Sequence, residues 1–232
     1  MAKVFEAVAR AVKSLRGYYY NLRVQEQPEF RSPSPTYLPN SPLIGDLEFE
    51  SRVLFEEKAS YRRSLFHANY DGKPVLVKFC ETYSESAHSI LADEGLAPAI
   101  HYCSQVLGGA FMAVMDLVQG RDAYHEFKHR NLPLTVLEDT QLALRTLHDS
   151  GLVFGDVRRP NIMVVKTRNE HGHDEWHARL VDFDWSGPVG DARYPPTLNK
   201  DIRWARGVEA AHVIEKQHDL DMLERLRLGT DE

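Results

Sequence analysis

The spacing of apolar positions changes abruptly along the chain. Over 1–20, MAKVFEAVARAVKSLRGYYY, the residues Val4, Phe5, Val8, Val12 and Leu15 recur at helical spacing, while Lys3, Arg10, Lys13 and Arg16 lie off that face. This predicts an N-terminal amphipathic helix within 1–26. The pattern suits a helix docked on the domain, a membrane-surface helix or an organelle-targeting segment; Glu6 and the scarcity of Ser weaken the targeting reading. Residues 27–44 have no periodicity. Five of the twelve prolines fall between 27 and 43, which reads as an extended linker. The domain boundary is placed near Ile44, with one domain over 45–232.

From Leu47 the period becomes two. FESRVLFEE, RSLFHANYDG and KPVLVKFC predict three short strands, and Asp71-Gly72 suits a tight hairpin turn between the last two. SESAHSILADEGLAP predicts a short helix stopped near Gly95, and AFMAVMDLV another strand. LTVLEDTQLALRTLHDSG returns to helical spacing: Leu137, Leu144 and Leu147 share a face, Thr135 and Glu138 read as a capping box, and Gly151 ends the run. LVFGD, NIMVV and ARLVDFDW read as short strands. The tail from Asp201 reads as mostly helical, with Leu220, Leu223 and Leu226 three apart. A β-rich first half and a helix-rich second half predict an α+β fold with two lobes, at about 45–118 and 119–232.

Composition narrows the class. The chain has 232 residues, 43% hydrophobic and 27% charged, as in an ordinary globular protein. A net charge of -6 argues against general nucleic-acid binding. No apolar run approaches the roughly 18 residues needed to cross a bilayer. Cys80 and Cys103 form no framework and read as free thiols of an intracellular protein, cytoplasmic or nuclear.

The candidate chemistry lies in three places. Lys78 ends the alternating run PVLVK, on the face of Leu76 and opposite Val75 and Val77. Asp156 and Asn161 share the loop between LVF and IMVV, and Asp182 follows the apolar run RLV. Taken singly, each has a plain structural reading, as a solvated edge Lys or as turn residues. Together they match the needs of phosphoryl transfer from ATP: a cation on the phosphates, oxygen ligands for Mg²⁺, and a carboxylate to orient an acceptor hydroxyl.

LHDSGLVFGDVRRPNIMV followed by LVDFDW resembles the catalytic and metal loops of the protein-kinase-like superfamily, which includes protein kinases, choline kinases and aminoglycoside phosphotransferases. RYPPTLNKDIRW and HDLDML are similar to small fungal members. The resemblance covers 47 to about 225. It implies a two-lobed kinase-like fold with a shortened second lobe, an ATP- and Mg²⁺-dependent activity, Asp156 as base, Asn161 and Asp182 as metal ligands, and Lys78 on the α/β phosphates. It further implies Met115 as gatekeeper, the backbone from Asp116 to Val118 around adenine, Glu85 as ion-pair partner of Lys78, and Arg158 on the γ-phosphate. The acceptor is read as protein Ser/Thr, with a small molecule as the alternative. A pseudokinase acting as a binding module is the second reading.

The sequence also departs from the pattern. FEEKASYRR holds no glycine where a phosphate loop is expected. Phe154 replaces a His, Gly155 stands where many protein kinases carry Arg, and Asp184 follows Asp-Phe in place of Gly. The His-rich HGHDEWH (His171, His173, His177) can be imagined as a Zn²⁺ site but reads better as the polar tip of a hairpin.

Overall fold

A computed structural model describes residues 47–53, 64–106, 109–168 and 172–229. The N-terminal helix, the Pro-rich linker and the glycine-free FEEKASYRR stretch lie outside those residues.

Five antiparallel strands form the first sheet, in the order β1-β2-β3-β5-β4. They are β1 (Leu47–Arg52), β2 (Ser64–Tyr70), β3 (Lys73–Cys80), β4 (Ile100–Gln105) and β5 (Phe111–Asp116). The β2–β3 turn is Asp71-Gly72, with φ of 50° and 75°. Two consecutive positive φ values give the hairpin its twist-matched turn, which is why this dipeptide sits there. Alternation sorts β3 as its spacing predicts. Val75 and Val77 pack with Phe66, Ala68, Met112 and Val114 on one face, while Leu76 and Cys80 face the main core with Ala113 and Met115. β4 was not anticipated. IHYCSQ is a polar edge segment whose strand state comes from pairing with β5 rather than from its own pattern.

Helix α1 (Glu85–Asp93) follows β3, capped by Ser84. After β5 come a two-residue strand β6 (Arg121–Asp122) and the one-turn α2 (Ala123–Glu126). Helix α3 (Leu134–Asp149) buries Val136, Leu137, Thr140, Ala143, Leu144 and Leu147. The expected capping box is absent: Pro133 is the N-cap, and Thr135 Oγ1 donates instead to Trp176 O at 2.5 Å. Proline is pre-set for a helix start, so Thr135 falls inside the first turn, where its hydroxyl is free to brace another element.

The rest of the chain carries the site. β7 (Leu152–Val153) pairs with β10 (Gly187–Pro188), and β8 (Ile162–Arg168) lies between β6 and β9 (Asp174–Leu180). HGHDEWH runs from the β8–β9 turn into β9, where His177 Nδ1 is 2.9 Å from Asp139; His171 lies outside the described residues. The tail is less helical than expected. Only α4 (Lys216–Leu228) forms, because Gly207 and Ala211 have φ of 92° and 63° and Arg193 bridges to Val213. α4 packs on α3. Gly120 permits a close crossing: a Cβ there would stand 2.2 Å from Val164 O, so any side chain would force β8 away.

Candidate active site

The loop after β7 is held by its backbone. Asp219 of α4, 1% exposed, accepts the N–H of Phe154 at 2.9 Å and of Gly155 at 2.8 Å, and meets His148 Nε2 at 3.0 Å. Phe154 is fully buried and packs edge-on against Phe183, so the position is filled by packing rather than by a polar brace. Gly155 has φ +87°, and a Cβ there would meet Ile214 Cδ1 at 2.8 Å. A side-chain-bearing residue at 155 would therefore be strained, and Ile214 would have to shift to admit it.

Asp156 follows, 5% exposed. Arg158 grips both of its oxygens, Nε to Oδ1 at 2.5 Å and the guanidinium NH₂ to Oδ2 at 2.6 Å. Asn161 Nδ2 donates to Asp156 O at 3.0 Å and Oδ2 at 2.8 Å. Burial pushes the Asp156 carboxyl above its ordinary range, with Asp182 adding to the push, while Arg158 and Asn161 pull the other way. Arg158 also lies over the ring of Trp204, which joins Trp185 and Tyr194 in an aromatic cluster.

Val181 N–H donates to Asn161 O at 3.0 Å, which ties the strand end to this loop. Asp182 comes next with φ 72°, a left-handed conformation sparsely used by residues with a side chain. Lys78 Nζ reaches Asp182 Oδ1 at 2.6 Å and Asp184 Oδ1 at 2.5 Å. Burial works against the ammonium, but the two aspartates outweigh it and hold Lys78 above its ordinary value. Burial, then Asp182, pushes Asp184 up to about 6. Two carboxylates on one lysine leave an excess of negative charge for a cation to satisfy.

Lys78, Asp156, Asn161 and Asp182 thus come together, with Arg158 beside Asp156. Met115 is buried at the end of β5, opposite Leu76 and Ile100. Asp116 N–H donates to Ala99 O, and its exposed carboxylate pairs with His101 at 2.7 Å. Val118 follows, half-buried. Glu85 is the exception. It is exposed in the first turn of α1, and the carboxylates on Lys78 are Asp182 and Asp184. Capping by Ser84 fixes the helix start so that Glu85 sits nearer Cys103, whose thiol its charge helps to raise.

Sequence reasoning missed Asp219, Tyr83 and His88. Asp219 had a legible signal, an acid in register with Met222, Leu223 and Leu226 on the buried face of α4. His88 had a similar one, beside Ala87 and one turn before Leu91 on the buried face of α1.

Comparison with solved structures identifies the architecture. The Cydia pomonella granulovirus kinase PK-1 superposes with a TM-score of 0.57 at 16% identity, covering 81% of this chain and 69% of that one. The chain shares the fold of that kinase. Among curated proteins, Wee1-like protein kinase 2-B of Xenopus laevis is 24% identical over 171 residues, 74% of this chain and 24% of its own length. Wee1-like protein kinase 2 of Xenopus tropicalis matches to the same extent. This chain therefore spans about a quarter of the length of those relatives. No family model matches. Within the kinase-like fold, no described helix is long and apolar enough to cross a membrane.

The donor set suits Mg²⁺. Asp182 and Asp184 offer hard oxygens, and Asn161, with its Nδ2 spent on Asp156, keeps Oδ1 as its remaining ligand atom. Among the described residues no three His, Cys, Asp or Glu cluster to hold a metal alone. Mg²⁺ needs no such cage when one or two carboxylates share it with substrate phosphates.

Proposed function

We propose that the chain is an ATP- and Mg²⁺-dependent phosphotransferase acting on a hydroxyl, with protein Ser/Thr as the acceptor class. The observation that carries this reading is the convergence on one site of Lys78, Asp182 and Asp184 with Asp156 and Asn161. Asp182, with Asn161 and Asp184 beside it, would hold Mg²⁺, which when bound neutralises charge on the transferring phosphate. Lys78 binds the α/β phosphates. Met115 backs the adenine pocket. Asp116 N–H is committed to Ala99, which leaves the backbone toward Val118 for adenine.

Asp156 orients the acceptor hydroxyl and takes its proton as the new O–P bond forms and the bond to ADP breaks. Burial of Asp156 favours that proton transfer by making the carboxylate more basic. One Asp156 oxygen must be released for this, and Arg158 supplies the means: an arriving γ-phosphate competes for its guanidinium and draws it off the carboxylate.

Mg-ATP should raise the melting temperature of the full chain by ligand linkage. Asp182→Ala should abolish that shift, whereas Asp156→Ala should keep it and lose phosphate transfer to a mixed protein substrate. Absence of any shift at saturating Mg-ATP removes this function from consideration. A binding module without turnover is the second reading, favoured by the Arg158 clasp on both Asp156 oxygens. It predicts the shift without transfer in the wild type.

A further inference from the structure

The resemblance leads one to expect a helix carboxylate beside Lys78, and among the described residues the carboxylates paired with it are Asp182 and Asp184, on a loop. Aromatic groups fill the space instead. The Tyr83 ring centroid lies 5.7 Å from Lys78 Nζ, inside the roughly 6 Å over which a ring face attracts an ammonium. Tyr83 is 9% exposed, and its hydroxyl is 2.7 Å from His88 Nδ1. His88 is fully buried, with Nε2 2.8 Å from Pro98 O. A carbonyl only accepts, so Nε2 carries the proton, Nδ1 carries the lone pair, and the Tyr83 hydroxyl donates to it. Burial, with the charge of Lys78 adding to it, lowers His88 to about 4, so this neutral tautomer persists.

His88 lies flat on Phe183, with centroids 4.5 Å apart and planes at 10°. Phe183 stands between Asp182 and Asp184. Tyr83 meets the same ring edge-on at 6.2 Å. The connection from β3 to α1 is also bonded to this loop: Thr82 Oγ1 donates to Asp184 O at 2.7 Å, and Ser84 N–H to Phe183 O at 3.1 Å. The tyrosine is therefore fixed to the loop that holds the metal-site carboxylates.

We propose that Tyr83 is the positioning residue for Lys78, its ring braced by His88 against Phe183 and standing in for a helix carboxylate. Asp182 and Asp184 hold Lys78 in the present structure. When both turn to a metal ion, the Tyr83 ring is the contact that stays. A neutral ring attracts the ammonium without neutralising it, so the full charge of Lys78 remains for the phosphates. The inference rests on the phosphotransferase reading, because that reading gives Lys78 its ligand.

The test compares Tyr83→Phe with Tyr83→Leu in the full chain, by Mg-ATP titration of the melting temperature and by ATP dependence of the initial rate. Phe keeps the ring and loses the hydroxyl; its apparent Kd for Mg-ATP should stay within about twofold of wild type. Leu loses the ring; its Kd and KM for ATP should rise about five- to tenfold, with a smaller change in kcat. A merely structural role would lower the melting temperature of Leu without changing its ATP affinity. A Leu variant with wild-type affinity overturns the proposal, as does a Phe variant that loses as much as Leu. Should Tyr83→Leu not fold, Tyr83→Met removes the ring with less loss of volume and carries the same expectation. A wild-type chain that gives no Mg-ATP shift overturns the phosphotransferase reading, and this proposal with it, before any substitution is made.

Discussion

Asp156 is held by Arg158 and Asn161, two and five positions away, whereas Asp182 and Asp184 are held by Lys78, at separations of 104 and 106. The first arrangement is a local clasp within one loop. The second joins a sheet strand to a loop after β9 and exists only once the chain has folded around it. The contrast has a physical consequence. A local clasp survives modest distortion of the fold, while the Lys78 contacts depend on the packing of Phe183, His88 and Tyr83 behind them. Loss of the Lys78 contacts should therefore be the earlier sign of a weakened core, and loss of the Asp156 geometry the later one.

The sharpest way to break this comparison is Asp219→Ala. The side-chain clasp on Asp156 is local, but the loop backbone is not: Asp219 reaches Phe154 and Gly155 from 65 and 64 positions away. Removing its carboxylate strands two buried N–H groups and His148. This should destabilise the chain by about 3–5 kcal/mol, the range for breaking a buried charged network. Urea unfolding measures it. A loss under ~1 kcal/mol would mean that the loop is held locally in its backbone too, and the contrast with the Lys78 side would widen.

The same contrast explains what was legible in the sequence. Lys78, Asp156, Asn161 and Asp182, which the fold brings together, are marked in the sequence only jointly, by strand alternation and short spacings, and these are local quantities. The β2–β3 hairpin, α1 and α3 were likewise readable from period and turn chemistry. Glu85 was misplaced because the partner of Lys78 depends on where Ser84 starts α1, and that is set by its bond to Phe183 on a distant loop. The tail from Asp201 reads as mostly helical from the spacing of Leu220, Leu223 and Leu226, but that signal belongs to α4 alone; the stretch before it is irregular and carries the bridge from Arg193 to Val213. β4 has the converse explanation, a strand made by its neighbour.

Acid sharpens the comparison next, because His88, behind the Lys78 contacts, and Asp156 respond with opposite sign. His88 has its value lowered from 6.5 to about 4, chiefly by burial. Between those values the unfolded chain binds the proton and the folded chain does not, so this support is complete above 6.5 and is lost as pH falls toward 4. Asp156 is raised, so the folded chain holds its proton more readily and gains relative stability as pH falls. His88→Gln should flatten the acid slope. From pH 7 to pH 4, the wild type should lose about 2–3 kcal/mol more than this variant, read from urea midpoints at each pH. Equal slopes would show that His88 is not held neutral, which would remove the lone pair that receives the Tyr83 hydroxyl.

The smallest expected effect tests whether non-local bonding extends beyond the site. Thr135 and Glu138 have the spacing of a local capping box, yet Thr135 bonds Trp176 O across 41 positions and Glu138 is exposed. A capping box would make both residues matter. The observed bond makes only one matter, since Pro133 begins the helix without side-chain help. Thr135→Ala should cost about 1 kcal/mol, the net worth of one hydrogen bond, and Glu138→Ala should fall within about 0.5 kcal/mol of wild type, as for an exposed surface change. Thermal unfolding of the two variants side by side decides between them. Equal losses would restore the local cap. Unequal losses in the expected order would show that α3, on which α4 and Asp219 pack, is fixed at its first turn by the β8–β9 hairpin, so that the loop carrying Asp156 takes its position from both.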